Sequence, residues 1–184
     1  MSMEEYINDI MLHGIPESWR DTLTMQSMYS LEEKGWKKKV KWKESTVING
    51  SIGAFANEDI KEGEVTRKYK DRVNMIVIRN PEDFPPLTNI TREFLPNYLF
   101  QVGGIVAIAI PGTSTNHSKE RQNVRIVKIS DDELHDIAIK DIKEDEEIFG
   151  NYEDFGTPPN WVLTFAKNHD MLKDMTFKGY NDYV

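Results

Sequence analysis

The sequence predicts a strand-rich α+β domain, and three observations support this fold class. The 184 residues are 39% hydrophobic and 29% charged, which is typical of a folded chain long enough to bury a core. From residue 46 onward, short apolar segments alternate with turn-forming residues, which favours strands. Helical periodicity is confined to the two ends of the chain. We therefore expect a helical extension over residues 1–45, a strand-rich domain over 46–156, and a C-terminal helix and tail over 157–184.

The chain begins with two predicted helices. Apolar residues recur at helical spacing over residues 3–13 and again from Pro16 towards Gly35. Residues 36–43 follow, in which lysines alternate with Trp and Val. We interpret this run as an exposed strand, and a nuclear-import signal is the alternative.

Nine short segments of the central domain have the composition of strands. They are residues 47–48, 53–56, 64–69, 73–78, 98–101, 105–110, 124–129, 134–139 and 147–152. Ser130-Asp131-Asp132 predicts a hairpin turn between two of them. Two consecutive prolines make residues 81–86 a loop, and residues 91–95 are expected to form a helical turn. Asn160 is the expected N-cap of an amphipathic helix from Trp161 to about Leu172.

The charge of the chain bears on the partners it can have. A net charge of −8 argues against direct nucleic-acid binding and favours a basic, lysine-containing peptide. Acidic residues cluster at 131–133, 144–147 and 153–154; a solvated surface is the simpler interpretation of each cluster, and a peptide groove is the alternative. No apolar run approaches the ~20 residues that span a bilayer, so no membrane segment is expected. The absence of Cys excludes disulfides and thiolate zinc sites.

Four sequence motifs follow one another in the central domain. They are Gly50 to Ala56 with Asp59–Glu64 and Tyr69, then Tyr98-Leu99-Phe100, then Asn116-His117-Ser118 with Asn123, and finally Asp141 to Tyr152. In this order and spacing the motifs resemble the SET-domain family. The resemblance implies a SET-domain (β-clip-like) fold of small curled sheets, with a knot-like crossing near the triplet. It also implies S-adenosylmethionine-dependent methyl transfer to the ε-amine of a lysine in a protein, with S-adenosylhomocysteine as product.

The resemblance implies roles for individual residues. Tyr152 matches the central catalytic tyrosine. Tyr98 and Tyr69 match positions of lysine-channel tyrosines, although tyrosines in strands are also commonly half-buried packing residues. The cofactor-binding positions of the family match Ile52, Gly53, Ala54, Asn116, His117 and Tyr152.

The resemblance extends to the segment that follows the motifs. Some family members close the cofactor site with a zinc-bearing C-terminal segment, and others with a helix whose aromatic residue covers the adenine. Because this chain has no Cys, no zinc is expected and such a helix is required. Trp161 is the predicted cover and Phe165 the second choice, and packing in the core is the alternative for Trp161.

The sequence also departs from the family at three places. Ser51 stands where a glycine is usual, and Thr113-Ser114 stands where an Arg-Phe pair usually precedes the triplet. Gly150 replaces the aromatic residue that commonly limits the number of methyl groups added. We therefore expect space for dimethyl- or trimethyllysine beside Tyr152.

Two functions follow from the sequence. The first is an active protein-lysine methyltransferase, with a histone tail as the favoured substrate. The second is a catalytically weak SET-like module that binds a basic peptide or a partner protein, and the departures favour it. A histone substrate favours a nuclear location, with the cytoplasm as the alternative. Neither the substrate lysine nor the oligomeric state follows from the sequence.

Overall fold

A computed structural model describes residues 35–50, 52–84, 95–96, 98–109 and 115–171 of the chain. The predicted N-terminal helices, the departures at Ser51 and Thr113-Ser114, and the tail after Met171 lie outside these residues. Most of the predicted turn at 91–95 lies outside them too. In the described part of the chain, no helix is long and apolar enough to cross a membrane.

Ten strands and one complete α-helix are present in the described residues, and residues 95–96 and 98 are also helical. The strands are β1 (Val40–Glu44), β2 (Ile52–Ala56), β3 (Val65–Lys70), β4 (Met75–Val77), β5 (Leu99–Val102), β6 (Ile105–Ala109), β7 (Asn116–His117), β8 (Val124–Ser130), β9 (Glu133–Ala138) and β10 (Phe149–Gly150). Short 3-10 turns lie at Pro81–Asp83 and Tyr152–Asp154, and helix α1 spans Asn160–Asn168.

The strands form four small sheets, which confirms the predicted strand-rich α+β fold. Two sheets have three strands, in the orders β3-β9-β8 and β4-β6-β5, and all of their pairs are antiparallel. The β1-β2 pair is also antiparallel, whereas β7 and β10 form a two-residue parallel pair. The predicted hairpin turn joins β8 to β9, with an irregularity between Lys128 and Ser130.

The core is divided among three groups of buried side chains. One group joins α1 to the β4-β6-β5 sheet, through residues such as Val162, Ala166 and Ile108. A second group surrounds Ile60 and Ile142 beside β2. The third lies between the two three-stranded sheets and includes Tyr69 and Phe100. Apolar side chains thus fix the sheets around the segments that carry the motifs.

Several predicted boundaries of the elements are wrong. No strand forms at residues 47–48, where Val47 and Ile48 are exposed, because β1 stops pairing at Glu44 opposite Ile52 and leaves this connection without a partner strand. The strand predicted at 36–43 begins only at Val40, although Trp36 forms an isolated bridge with Arg67.

The C-terminal helix also differs from its prediction. Pro159, in an extended conformation, occupies the N-cap position, and Asn160 is already the first helical residue. The carbonyl of Pro159 accepts hydrogen bonds from the amides of Val162 and Leu163. Proline has no polar side chain, so the helix has no side-chain cap. The helix ends at Asn168, earlier than predicted, where His169 leaves the helical conformation.

Candidate active site

The pairing of β7 with β10 brings the Asn-His-Ser triplet beside the closing motif. Asn116 lies opposite Phe149 and His117 opposite Gly150, although the two segments are more than thirty residues apart. The amide of Tyr152 donates to His117 Nδ1 at 2.9 Å. Because Nδ1 accepts, the proton of a neutral His117 ring lies on Nε2. Two of the predicted motifs therefore meet at one place.

Asn116 connects this pair to the first motif. Its Nδ2 donates to the carbonyl of Ile52 at 3.1 Å and to Glu147 Oε1 at 3.1 Å. No hydrogen bond within the described residues uses its Oδ1, which leaves that atom available to a donor. Ile52 is 62% exposed. The predicted cofactor-binding residues Ile52, Gly53, Asn116 and His117 are thus gathered by direct contacts, next to Ala54.

Glu147 is a site residue that the sequence interpretation missed. Its side chain accepts hydrogen bonds from Ser45 Oγ, from the amide and Oγ1 of Thr46, and from Asn116. Burial raises the pKa of its carboxyl, but the hydrogen bonds from Thr46, Asn116 and Ser45 outweigh burial and hold the pKa below its usual value. The solvated surface expected for residues 144–147 is wrong at this position, since Glu147 is only 3% exposed.

Gly53 lies against the same carboxylate. A Cβ at this position would be 2.1 Å from Glu147 Oε1, so any side chain here would push the carboxylate away from its hydrogen-bond partners. The close approach explains why a residue without a side chain is required in the first motif. Gly53 is itself buried, so the exposed backbone of this motif is that of its neighbour Ile52.

Asn123 holds the closing motif from behind. Its Nδ2 donates to the carbonyl of Glu147 at 2.8 Å, and its Oδ1 accepts from the amide of Phe149 at 2.8 Å. The first group lies two residues before β10 and the second is at its start. The buried amide of Asn123 therefore fixes the backbone on both sides of Ile148.

The three predicted tyrosines line a single cavity of about 50 Å³. Gly150, Thr115 and Asp136 contribute to the same wall as Tyr69, Tyr98 and Tyr152. This volume exceeds the roughly 10–15 Å³ that one water molecule needs, and it suits a slender group such as the end of a lysine side chain. The structure thus places the predicted catalytic residues together.

A hydrogen bond and a ring contact fix Tyr152 in this cavity. The hydroxyl of Tyr152 donates to the carbonyl of Thr115 at 2.9 Å, and its ring stacks on Phe155 at 5.2 Å between centroids. Burial, together with the nearby Tyr98 and Asp136, raises the pKa of Tyr152 to about 12, with Arg67 opposing. Its phenol is therefore neutral at physiological pH and acts as a hydrogen-bonding group rather than as a base.

Gly150 lines the cavity and contributes no side chain to it. A Cβ at this position would lie 3.2 Å from Thr115 Oγ1, so even a methyl group would be tight. An aromatic side chain here would have to displace Thr115 or enter the cavity. The departure from the family at this position therefore enlarges the cavity.

Trp161 lies in a different environment. Its ring meets Phe84 edge to face, with 6.3 Å between centroids, and it borders a depression of about 330 Å³ that Arg79 and Gly104 also line. Phe165 also contacts Phe84: the two rings are stacked, with 4.0 Å between their centroids. None of the described contacts joins Trp161 to Asn116 or His117. Its role as the cover of the adenine stays a prediction.

Comparison with known proteins agrees with the motifs. A sequence profile of the SET domain matches residues 51–153, more than half of the 184 residues, and the chain therefore belongs to the SET-domain family. A search of curated protein sequences finds no match.

Solved structures give three examples of similar chains. A candidate histone methyltransferase of Plasmodium falciparum is 24% identical, with a TM-score of 0.45, over 63% of this chain and 94% of that chain. CpSET8 of Cryptosporidium is 19% identical, with a TM-score of 0.45, over 66% and 60% of the two chains. A chain of Chaetomium thermophilum Polycomb repressive complex 2, bound to S-adenosylmethionine, is 26% identical, with a TM-score of 0.48, over 72% of this chain and 17% of that one.

Proposed function

We propose that this protein transfers a methyl group to the ε-amine of a lysine in a basic protein segment, with a histone tail as the favoured substrate. The observation that carries the proposal is the cavity in which Tyr69, Tyr98 and Tyr152 meet, directly beside the paired Asn116 and His117. Neither arrangement is needed for a purely structural sheet domain. Together they form a narrow aromatic site next to a half-buried polar pair.

The residues present fit the cofactor that the family uses. S-adenosylmethionine, when bound, supplies an electrophilic methyl group. Gly53 packs without a side chain on Glu147, which Asn116 also contacts. Asn116 Oδ1 takes part in no hydrogen bond with the described residues and can accept from an ammonium group, and the His117 ring is held by the amide of Tyr152. We propose that these three residues and the neighbouring Ile52 and Ala54 hold it.

The chemistry at the lysine needs orientation more than acid or base. Methyl transfer is an in-line displacement, and holding two reactants in the right geometry contributes much of its rate. Deprotonating a lysine of pKa ~10.4 at neutral pH costs roughly 4–5 kcal/mol. A buried wall of tyrosine rings lowers this cost because it disfavours the ammonium form. We propose that Tyr152, Tyr98 and Tyr69 orient the amine within that wall.

The charge of the protein supports a basic substrate. The net charge is −8, and Asp154 lines the cavity that would receive the lysine. Such a field attracts Lys- and Arg-rich segments and disfavours direct contact with nucleic acid. We propose a nuclear location, which follows from a histone substrate rather than from any signal in the fold.

The test combines binding with methyl transfer. Calorimetry with S-adenosylmethionine measures cofactor binding, and a peptide array with labelled cofactor identifies the methylated sequence. We expect a measurable heat of binding for S-adenosylmethionine and transfer of label to lysine peptides, with histone peptides among them. Peptide binding without cofactor heat or label would support the binding module instead, and the methyltransferase proposal would be wrong.

Gly150 leads to a prediction about the product. Because no side chain fills the space beside Thr115, we expect the protein to carry a good substrate beyond monomethyllysine to dimethyl- or trimethyllysine. Gly150→Ala, whose Cβ would sit 3.2 Å from Thr115 Oγ1, should lower the fraction of these products severalfold. Mass spectrometry of the peptide measures both. Monomethyl product alone after long reaction with the wild type would contradict the prediction.

A further inference from the structure

A buried ion pair lies against the wall of the tyrosine cavity. Arg67 on β3 and Asp136 on β9 face each other in the antiparallel register, with 3.2 Å between Arg67 Nη2 and Asp136 Oδ2. Their side chains are 0% and 6% exposed. Asp136 lines the cavity together with Tyr69, Tyr98 and Tyr152. None of the sequence motifs contains either residue of the pair.

The pair is poorly explained by stability. Arg67 Nε and Nη1 have no hydrogen-bond partner among the described residues, and a single contact joins Arg67 to Asp136. Burial lowers the pKa of Arg67 to about 10 and raises the pKa of Asp136, and each partner opposes the shift of the other. Apolar residues of similar volume often fill such a position without loss of stability. A costly buried pair that borders a cavity is typical of a functional role.

Both members of the pair contact Tyr69. The guanidinium of Arg67 lies between the rings of Trp36 and Tyr69, at 4.5 and 4.3 Å from their centroids. The hydroxyl of Tyr69 donates a hydrogen bond to Asp136 Oδ2 at 2.9 Å. Arg67 therefore holds the ring of Tyr69 by a cation–π contact, while Asp136 fixes the direction of its hydroxyl.

The hydrogen bond to Asp136 determines what Tyr69 can do in the cavity. A tyrosine hydroxyl has one proton, so an oxygen that donates it to Asp136 has only lone pairs left for a ligand. The hydroxyl oxygen of Tyr152 likewise has only lone pairs left, because the hydroxyl donates its hydrogen bond to the carbonyl of Thr115. Both oxygens can then accept N–H bonds of an amine and leave the nitrogen lone pair free.

We propose that Arg67 and Asp136 are positioning residues that fix the Tyr69 hydroxyl as a hydrogen-bond acceptor for the substrate amine. The inference rests on the proposed function, since it assigns the cavity to a lysine. It goes beyond that function by adding two residues from outside the motifs. Arg67 balances the charge of Asp136, so that the carboxylate orients Tyr69 without adding a net negative charge beside the amine.

The experiment removes the pair as a unit. Arg67→Met with Asp136→Leu leaves no unpaired buried charge, whereas Arg67→Met with Asp136→Asn restores a carbonyl oxygen that can accept the Tyr69 proton. We expect the Met/Leu variant to lose about tenfold in kcat with KM and cofactor affinity nearly unchanged, a loss that corresponds to ~1.4 kcal/mol. The Met/Asn variant should recover to within about threefold of the wild type.

Two controls separate positioning from general structure. In a Tyr69→Phe background, the Met/Leu pair should cause no further loss, because the hydroxyl that it orients is gone. Lys128→Met with Asp131→Leu makes the same change in an exposed pair outside the motifs and should leave kcat unchanged. Any of three outcomes would overturn the proposal. The folded Met/Leu variant could keep the wild-type kcat, the Met/Asn variant could fail to recover activity, or the losses from Met/Leu and Tyr69→Phe could add.

A measurement without turnover separates this proposal from the proposed function. A buried hydroxyl proton held by a carboxylate exchanges slowly, so proton NMR of the wild type should show a resonance that Tyr69→Phe removes and the Met/Leu variant shifts. Absence of that resonance would overturn the role of Arg67 and Asp136, even in an active enzyme. Absence of methyl transfer, with the resonance present, would overturn the proposed function and with it the substrate amine, while the fixed direction of the Tyr69 hydroxyl would stand.

Discussion

Replacing Tyr152 with phenylalanine is expected to lower the rate of methyl transfer about a hundredfold while leaving cofactor affinity within about twofold. The substitution removes one oxygen, which donates to the carbonyl of Thr115 at 2.9 Å and faces the cavity. It keeps the ring, so the stacking on Phe155 and the contact with His117 remain. A small loss of orientation at the reacting atoms is enough for an effect of about this size.

The loss should appear in the chemical step and not in folding. Calorimetry with S-adenosylmethionine and transfer of labelled methyl to the best array peptide measure the two quantities separately. Tyr180→Phe makes the same chemical change in the C-terminal tail, outside the motifs, and should retain full activity. More than a third of the wild-type rate in Tyr152→Phe would show that this hydroxyl does not orient the amine.

The fold could be predicted where local patterns and pairing agree. Strands β8 and β9 lie within one residue of their predicted bounds, because alternating side chains and a turn between them specify a hairpin. The strand predicted at residues 147–152 is reduced to Phe149–Gly150, because its partner β7 is only two residues long. After it, the side chain of Asn151 accepts from the amide of Glu153 and starts a 3-10 turn. Strand length here depends on a distant partner.

The site could be predicted only as far as its motifs extend. The motif residues were found because their order along the chain is distinctive. Arg67 was not found, because it stands among Lys68 and Lys70 in a strand where any of the three could face water. Its burial depends on the register with β9, which places it opposite Asp136. Glu147 was missed for a similar reason, since its neighbours Glu144 and Glu146 are exposed.

Glu147 carries the second large prediction, because it joins three segments of the cofactor site. Its carboxylate accepts from Ser45, Thr46 and Asn116, and Gly53 packs directly on it. Every partner is a donor, so an amide in place of the carboxylate would turn an NH₂ group towards a donor. Hydrogen bonds to a charged group contribute about 1.5–3 kcal/mol each, and a buried donor left without an acceptor costs ~1–3 kcal/mol.

Glu147→Gln is therefore expected to lower the free energy of unfolding by about 2–3 kcal/mol and to weaken cofactor binding at least tenfold. Urea unfolding and calorimetry measure the two effects. Glu146→Gln is the matched control, because its exposed carboxylate accepts only the amide of Lys143, and it should change neither quantity appreciably. Equal behaviour of the two variants would show that the buried carboxylate does not organise the site.

The pH dependence of stability provides an independent check on Glu147. The hydrogen bonds hold the pKa of its carboxyl lower in the folded protein than in the unfolded chain. The unfolded state therefore binds the proton first as the pH falls, so the contribution of Glu147 is complete above the unfolded pKa of ~4.3 and is lost as the pH falls through the folded value. Glu147→Gln has no such proton to bind, so part of the acid destabilisation seen in the wild type should disappear from its unfolding curves. The wild type and Glu147→Gln could instead differ in free energy of unfolding by the same amount from pH 7 to pH 3. That result would mean that the ionised carboxylate is not what joins Thr46, Asn116 and the Gly53 backbone.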